Sequence, residues 1–276
     1  MSGSVLLSSK EVAAFVTHGF LRLDEVIPPE IARAALAEIA GGGLPSPFGA
    51  ERARPEADWP GRPLSEFWRE SPGVGAALRL PRVAGVIDSL LGPGALYDHH
   101  YAHVIAPGQA WSQPWHADAI LDSRPLAFDL QLFFFFHETP REMGGTMILP
   151  GSHLRRVNEA DIGRYQNFRG QLATVCRAGT VLVCHHGLWH CGQPNHTTRQ
   201  RTMLKLRVGP AQRQLRTWDL TDLDDPGITE ILRHAHAFSG SEARLEIVNR
   251  IKLWRHLTGN PEFDVDYWLG RMSTPD

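Results

Sequence analysis

Cysteine is scarce in this chain of 276 residues: there are three, Cys176, Cys184 and Cys191, an odd number without tight spacing. Neither a disulfide framework nor a cysteine-zinc site is expected from them, and each is read as a small buried hydrophobe. An excess of either charge is also missing. Lys and Arg number 28 against 30 Asp and Glu, leaving a net charge of −2. Nothing in that balance favours nucleic acid or an anionic membrane surface as a partner. No apolar run approaches the ~18 residues that a spanning helix needs. The first ten residues, Met1 to Lys10, lack the basic region and long apolar core of a signal peptide, so a cytoplasmic protein is expected. What is present is ordinary: 42% hydrophobic and 21% charged residues, enough for a sizeable core in one catalytic domain spanning residues 1–276.

The local patterns divide that span into three parts. Residues 1–95 read as a helical N-terminal part. Ser8-x-x-Glu11 is a capping box opening a helix with Val12, Phe15 and Val16 on one side. Phe20–Leu23 reads as a strand, Pro28-Pro29-Glu30 starts a second helix that stops at Gly41-Gly42-Gly43, and Pro81 to Leu91 is a third closed by Gly92-Pro93. Residues 44–75, rich in Pro, Gly and Arg, read as a lid-like loop. Residues 96–210 change to short strands between turn signals: 97–106, 126–137, 146–149, 181–184 and 201–208. That spacing implies an antiparallel sandwich or barrel, mainly β with flanking helices. Residues 211–276 return to helix, with Leu245, Val248, Ile251, Trp254 and Leu257 at helical spacing.

Within the strand region lies Gln113-Pro114-Trp115-His116-Ala117-Asp118. In an extended strand, side chains two apart share a face, so His116 and Asp118 point the same way. With one more histidine from a distant strand they would form a two-histidine, one-carboxylate set, which suits Fe(II) and leaves positions open. With 14 His and 15 Asp in the chain, roughly one His-x-Asp arises by chance, so its companions decide. They come in a fixed order: Gly144-Gly145-Thr146, then Pro150-Gly151-Ser152-His153, His190 followed by Asn195, and Arg201 eleven residues after His190.

In that order, and in Phe15-x-x-His18-Gly19-Phe20 near the start, the chain resembles the phytanoyl-CoA dioxygenase-like (PhyH) family of Fe(II)/2-oxoglutarate-dependent dioxygenases. The resemblance runs to about Val208 and has no counterpart beyond about residue 215. It implies a double-stranded β-helix, the jelly-roll or cupin-like core, with helices packed on one sheet. It implies His116, Asp118 and His190 as both catalytic residues and iron ligands, and Arg201 as partner of the far carboxylate of 2-oxoglutarate. Gln113 and Thr146 would also contact that cosubstrate, and dioxygen would be the oxidant. The spacing to Arg201 selects His190 over His185 and His186, which become supporting or turn residues. Asp118 implies a hydroxylase type, because halogenating relatives carry a small residue there.

The expected activity is hydroxylation of an unactivated carbon in a small organic, secondary-metabolite or lipid-like substrate, with release of succinate and carbon dioxide. The same iron chemistry ending in desaturation, epimerisation or cyclisation is one alternative. A cupin-like metal-binding protein without oxygenase activity is another, and Arg201 with Gln113 and Thr146 argues against it. Partners beyond the small-molecule substrate are not indicated, and monomer or homodimer both remain open. Several residues have competing readings. Leu132 to Phe136 is read as a strand buried on both faces, with Gln131 a polar residue needing a partner. His99, His100 and His103 are read as surface or core residues, although one could face the pocket. Trp111, Trp115 and Trp189 could shape the pocket or merely pack. Periodicity does not say which face of the 201–208 strand points inward.

Overall fold

Along Arg201–Gly209 the chain alternates between two environments, and that alternation organises the molecule. Leu204, Leu206 and Val208 are fully buried in a large apolar core, while Arg201, Met203, Lys205 and Arg207 line a cavity. A computed structural model describes residues 4–42, 60–118, 123–155, 157 and 159–265. The strands are β1 (Phe20–Leu23), β2 (Leu96–Ile105), β3 (Leu130–Phe135), β4 (Thr146–Ile148), β5 (Leu172–Ala173), β6 (Thr180–His185), β7 (His190–Gly192) and β8 (Arg201–Gly209). They build one five-stranded sheet in the order β1-β6-β3-β8-β2 and one three-stranded sheet in the order β5-β4-β7. All the pairings are antiparallel. The strand order is not sequential in either sheet, so connections cross between sheets, as in a jelly-roll.

The helices are α1 (Ser9–His18), α2 (Pro29–Ala40), α3 (Val74–Leu78), α4 (Pro81–Leu91), α5 (Glu159–Gly163), α6 (Gly227–Leu232) and α7 (Gly240–Thr258). The capping box forms: Ser8 accepts from the Glu11 amide, and the Glu11 side chain reaches back to the Ser8 amide. Apolar faces of α1, α2, α4, α6 and α7 bury Phe15, Ala35, Val86, Leu232 and Trp254 against Leu132, Phe134, Val181, Val183 and Leu204 of the large sheet. Helices from both ends of the chain therefore cover one face of that sheet and leave the other to the cavity.

The phenylalanine run divides the same way. Phe134 and Phe136 belong to the helix-side core, whereas Phe133 and Phe135 turn to the cavity. A bulge in β2 between Tyr97 and His99 changes which face each residue meets. Tyr97 joins the helix-side core, while His99, Tyr101, His103 and Ile105 line the cavity. His100, on the other face, is buried and hydrogen-bonds the Tyr97 hydroxyl at 2.8 Å.

Of the lid-like loop, residues 44–59 lie outside the described residues, as do residue 43 before it and 119–122 beside Asp118. Residues 60–75 contain a short 3-10 turn at Leu64–Glu66 and the start of α3. Leu245 departs from its expected stripe: it is 54% exposed, while Val248, Ile251, Trp254 and Leu257 are buried. The three cysteines are buried free thiols.

Candidate active site and metal centre

Residues 113–116 add a fourth rung to the small sheet. The Gln113 amide donates to Gly192 O at 2.9 Å, and His116 and His190 exchange backbone hydrogen bonds at 3.0 and 2.9 Å. Directly opposed residues in an antiparallel pair hold their side chains on one face. The two rings accordingly lie 4.4 Å apart by centroid. Asp118, two residues on, reaches the same point. Its Oδ1 is 3.7 Å from His116 Nε2 and its Oδ2 is 3.8 Å from His190 Nε2. The three donor atoms lie within 4.8 Å of one another.

Tautomers follow from the partners. His116 Nδ1 donates to Pro114 O at 2.9 Å, and His190 Nδ1 donates to Leu188 O at 2.9 Å. A carbonyl oxygen can only accept, so each Nδ1 carries the hydrogen and each Nε2 presents its lone pair to the shared point. Asp118 is oriented by Gln131, whose Nε2 donates to Oδ2 at 2.6 Å, and by Lys205, whose ammonium pairs with the same oxygen. Among the described residues Oδ1 is left without a hydrogen-bond donor. Two imidazoles and one carboxylate with these tautomers fit a ferrous ion.

Burial sets the charge states. It lowers His190 to about 4, against the opposing pull of the Asp118 carboxylate, and lowers His103 to about 3, reinforced by Lys205. Burial alone would push Asp118 up, but the neighbouring imidazole of His190 and the Lys205 ammonium paired with Oδ2 hold it below the usual carboxylate range. At neutral pH the site therefore presents an anionic Asp118 carboxylate beside neutral His190 and His103 rings.

The donors open into a cavity of about 700 Å³ between the two sheets. Arg201 lies on its wall, 5% exposed. Its Nη1 donates to Met143 O and Gln193 O, both at 2.9 Å, while Nε and Nη2 make no hydrogen bond to the described residues. Among the described residues no carboxylate pairs with it. Burial lowers its pKa to about 10, so it remains charged. A buried guanidinium without an acid is costly unless an anionic ligand completes it. Gly144, at φ +87°, makes room for it: a Cβ there would lie 2.4 Å from Arg201 Nη1 and 2.3 Å from Pro194 O.

Gln113 lines the same wall, its Oε1 accepting from the Gly192 amide at 3.0 Å. Thr146, at the start of β4, is buried and also lines the cavity.

The structure thus brings His116, Asp118, His190, Arg201, Gln113 and Thr146 around one cavity. His185 and His186 stay apart from the donor cluster. His185 Nδ1 accepts from the Gly187 amide at 3.0 Å, and His186 Nδ1 from the Asp129 amide at 2.9 Å. His99 and His103 both line the cavity, against the surface-or-core reading of that strand. Trp111 is 59% exposed at the rim, whereas Trp115 and Trp189 pack in a separate small core. Lys205 and Arg207 carried no sequence signal of their own. Once Arg201 faces inward, however, period two along β8 brings both inward as well. Arg207 there pairs with Asp129 at 2.8 Å and Asp98 at 3.2 Å.

The fold and the donor set define a class: a jelly-roll with a two-histidine, one-carboxylate cluster facing an internal cavity. The phytanoyl-CoA dioxygenase (PhyH) family model matches residues 15–203. The chain belongs to that family, whose chemistry uses iron and 2-oxoglutarate. No curated protein matches it significantly by sequence. Solved structures agree on the fold. SnoK, an alpha-ketoglutarate-dependent carbocyclase from nogalamycin biosynthesis, aligns at 20% identity and TM-score 0.56, covering 80% of this chain and 92% of its own. EctD from S. alaskensis aligns at 21% and 0.55, covering 76% and 79%. AviO1 from Streptomyces viridochromogenes Tue57 aligns at 17% and 0.52, covering 73% and 95%.

Proposed function

We propose that this chain is an Fe(II)- and 2-oxoglutarate-dependent oxygenase of the hydroxylase type, acting as one catalytic unit on a small organic molecule. His116, Asp118 and His190 would hold the ferrous ion, and Arg201 the far carboxylate of 2-oxoglutarate, with Gln113 and Thr146 beside it. The observation that carries the reading is Arg201. A metal-binding barrel without oxygenase activity has no use for a buried guanidinium that no carboxylate among the described residues pairs with, facing the same cavity as the metal donors.

When bound, iron and 2-oxoglutarate supply, with dioxygen, an oxidant able to attack an unactivated C–H bond, leaving succinate and carbon dioxide. The protein's own residues do the rest. The backbone carbonyls of Pro114 and Leu188 fix both imidazoles. Gln131 and Lys205 hold Asp118 Oδ2 and leave Oδ1 to ligate. Phe133 and Phe135 give the cavity an apolar wall that limits water. His99, Tyr101, His103 and Trp111, on the wall and rim, are placed to orient the substrate. A volume of about 700 Å³ lies within the ~300–1,000 Å³ usual for small-molecule sites. No helix among the described residues is long and apolar enough to cross a membrane. Three free thiols suit a reducing, cytoplasmic compartment.

The test is a screen for substrate-dependent succinate release, followed by product analysis. A product heavier by one oxygen atom supports hydroxylation. A desaturated, epimerised or cyclised product keeps the iron chemistry and overturns the hydroxylase assignment.

A further inference from the structure

Away from the cavity, three imidazoles meet where the C-terminal end of α1 touches the segment between α6 and α7. His18, His234 and His236 each place a ring nitrogen within 4.8 Å of the others. Their ring centroids are 4.9 Å (His18 and His234), 5.4 Å (His18 and His236) and 4.9 Å (His234 and His236) apart. None of them lines the catalytic cavity.

The cluster is held from several sides. His236 Nε2 donates to Thr17 O at 2.9 Å, so its Nδ1 keeps a free lone pair. Thr17 Oγ1 donates to Ile231 O at 3.2 Å, which also ties α1 to the end of α6 just before that segment. Arg250, fully buried, donates from Nη1 to Leu232 O and His234 O at 2.8 Å each and so fixes the backbone that carries His234. Arg250 is itself paired with Glu246, which accepts from Nε at 3.0 Å, while its positive charge still acts on His18 and His236. His236 sits so tightly over Gly151 that a Cβ there would lie 2.4 Å from His236 Cδ2.

We propose that His18, His234 and His236 form a second metal site, for a divalent transition ion of the zinc type, that fastens the C-terminal helices to the family core. Imidazole nitrogens suit zinc, and three protein donors plus water complete its usual four-coordinate sphere. The C-terminal end of α1 adds a partial negative charge that favours a cation there. Burial keeps His18 and His236 near 4, so both rings are unprotonated at neutral pH. His234 is exposed and gives the ion a way in. His18 lies inside the family match, whereas His234 and His236 lie beyond its end at residue 203. The ion would therefore tie an appended segment to the shared fold.

The test is zinc stoichiometry on the metal-free full chain, followed by chelator competition. Two equivalents per chain are expected in the unaltered protein, one at each cluster. His234→Ala, at an exposed position, should lose one equivalent and keep binding of Fe(II) and 2-oxoglutarate. His116→Ala/Asp118→Ala should lose the other and still show a zinc-dependent rise in Tm that adding His234→Ala abolishes. Zinc stoichiometry that His234→Ala leaves unchanged, whether one equivalent or two, would overturn the proposal, whereas one equivalent that His234→Ala abolishes would count against zinc at the catalytic cluster alone. The comparison of the unaltered chain with His234→Ala decides the matter even if the double variant does not fold.

Discussion

Replacing Arg201 by Lys keeps a positive charge and removes the planar fork, which isolates what the guanidinium geometry contributes. In the structure Nη1 is already committed to Met143 O and Gln193 O, leaving Nε and Nη2 for a ligand. A bidentate carboxylate would use two charge-assisted hydrogen bonds of about 1.5–3 kcal/mol each. Loss of one of them by Lys, at ~1.4 kcal/mol per decade, weakens 2-oxoglutarate binding roughly 10- to 100-fold. Loss of both in Arg201→Ala raises that to roughly 10²- to 10⁴-fold by the same conversion. The assay is an anaerobic titration of the Fe(II)-loaded protein with 2-oxoglutarate, beside an independent iron titration. Iron affinity should be unchanged in both variants, since Arg201 touches none of the metal donors. Binding of 2-oxoglutarate within threefold of the unaltered protein, or equal loss of iron and cosubstrate in a folded variant, would refute the assignment.

Other perturbations separate the remaining parts of the account. Gln131→Leu removes the 2.6 Å bond to Asp118 Oδ2. It should cost about 10- to 100-fold in iron affinity or turnover, measured by metal titration and succinate release. Phe134, fully buried on the helix side of β3, should cost about 3–5 kcal/mol on replacement by Ala, read from the denaturant midpoint. His153 is held at about 3, chiefly by burial, with Nε2 bonded to Val16 O at 3.1 Å. Its folded pKa lies below the unfolded ~6.5, so the unfolded chain takes up the proton first as pH falls. Its stabilising contribution is complete above about pH 6.5 and is lost as pH falls from there toward 3. Between pH 6.5 and 5 the loss is about 2 kcal/mol, at ~1.36 kcal/mol per unit. Unfolding midpoints at pH 7 and 5 measure it, and the loss should shrink in His153→Phe.

Local chemistry made the ends of elements readable. Ser8 with Glu11, Pro28-Pro29 and Gly92 mark α1, α2 and α4 because caps and breakers act through their nearest neighbours. Strand limits were less readable. The stretch expected over 126–137 pairs only as Leu130–Phe135. The amides just before it are met by side chains: Phe128 donates to Gln214 Oε1 at 3.1 Å and Asp129 to His186 Nδ1 at 2.9 Å. A ladder that stops because distant side chains replace it leaves no local signal.

The same holds for the candidate site. Strand period predicts that His116 and Asp118 face one point, although the structure has a single bridge at His116 and a turn at Asp118, but the facing of Arg201 depends on β8 lying between β3 and β2. Lys205 and the partner of Gln131 become visible only when that packing is known, because Asp118 reaches both from the turn that follows His116.

The most direct measurement of the central claim is the visible spectrum of the full-length protein, kept anaerobic, as Fe(II) and then 2-oxoglutarate are added. The account requires a charge-transfer band that appears only with both present, saturates at one equivalent of each at this centre, and vanishes in Asp118→Ala. A folded protein that takes up iron but shows no band at saturating 2-oxoglutarate would contradict it, as would a band indifferent to loss of Asp118.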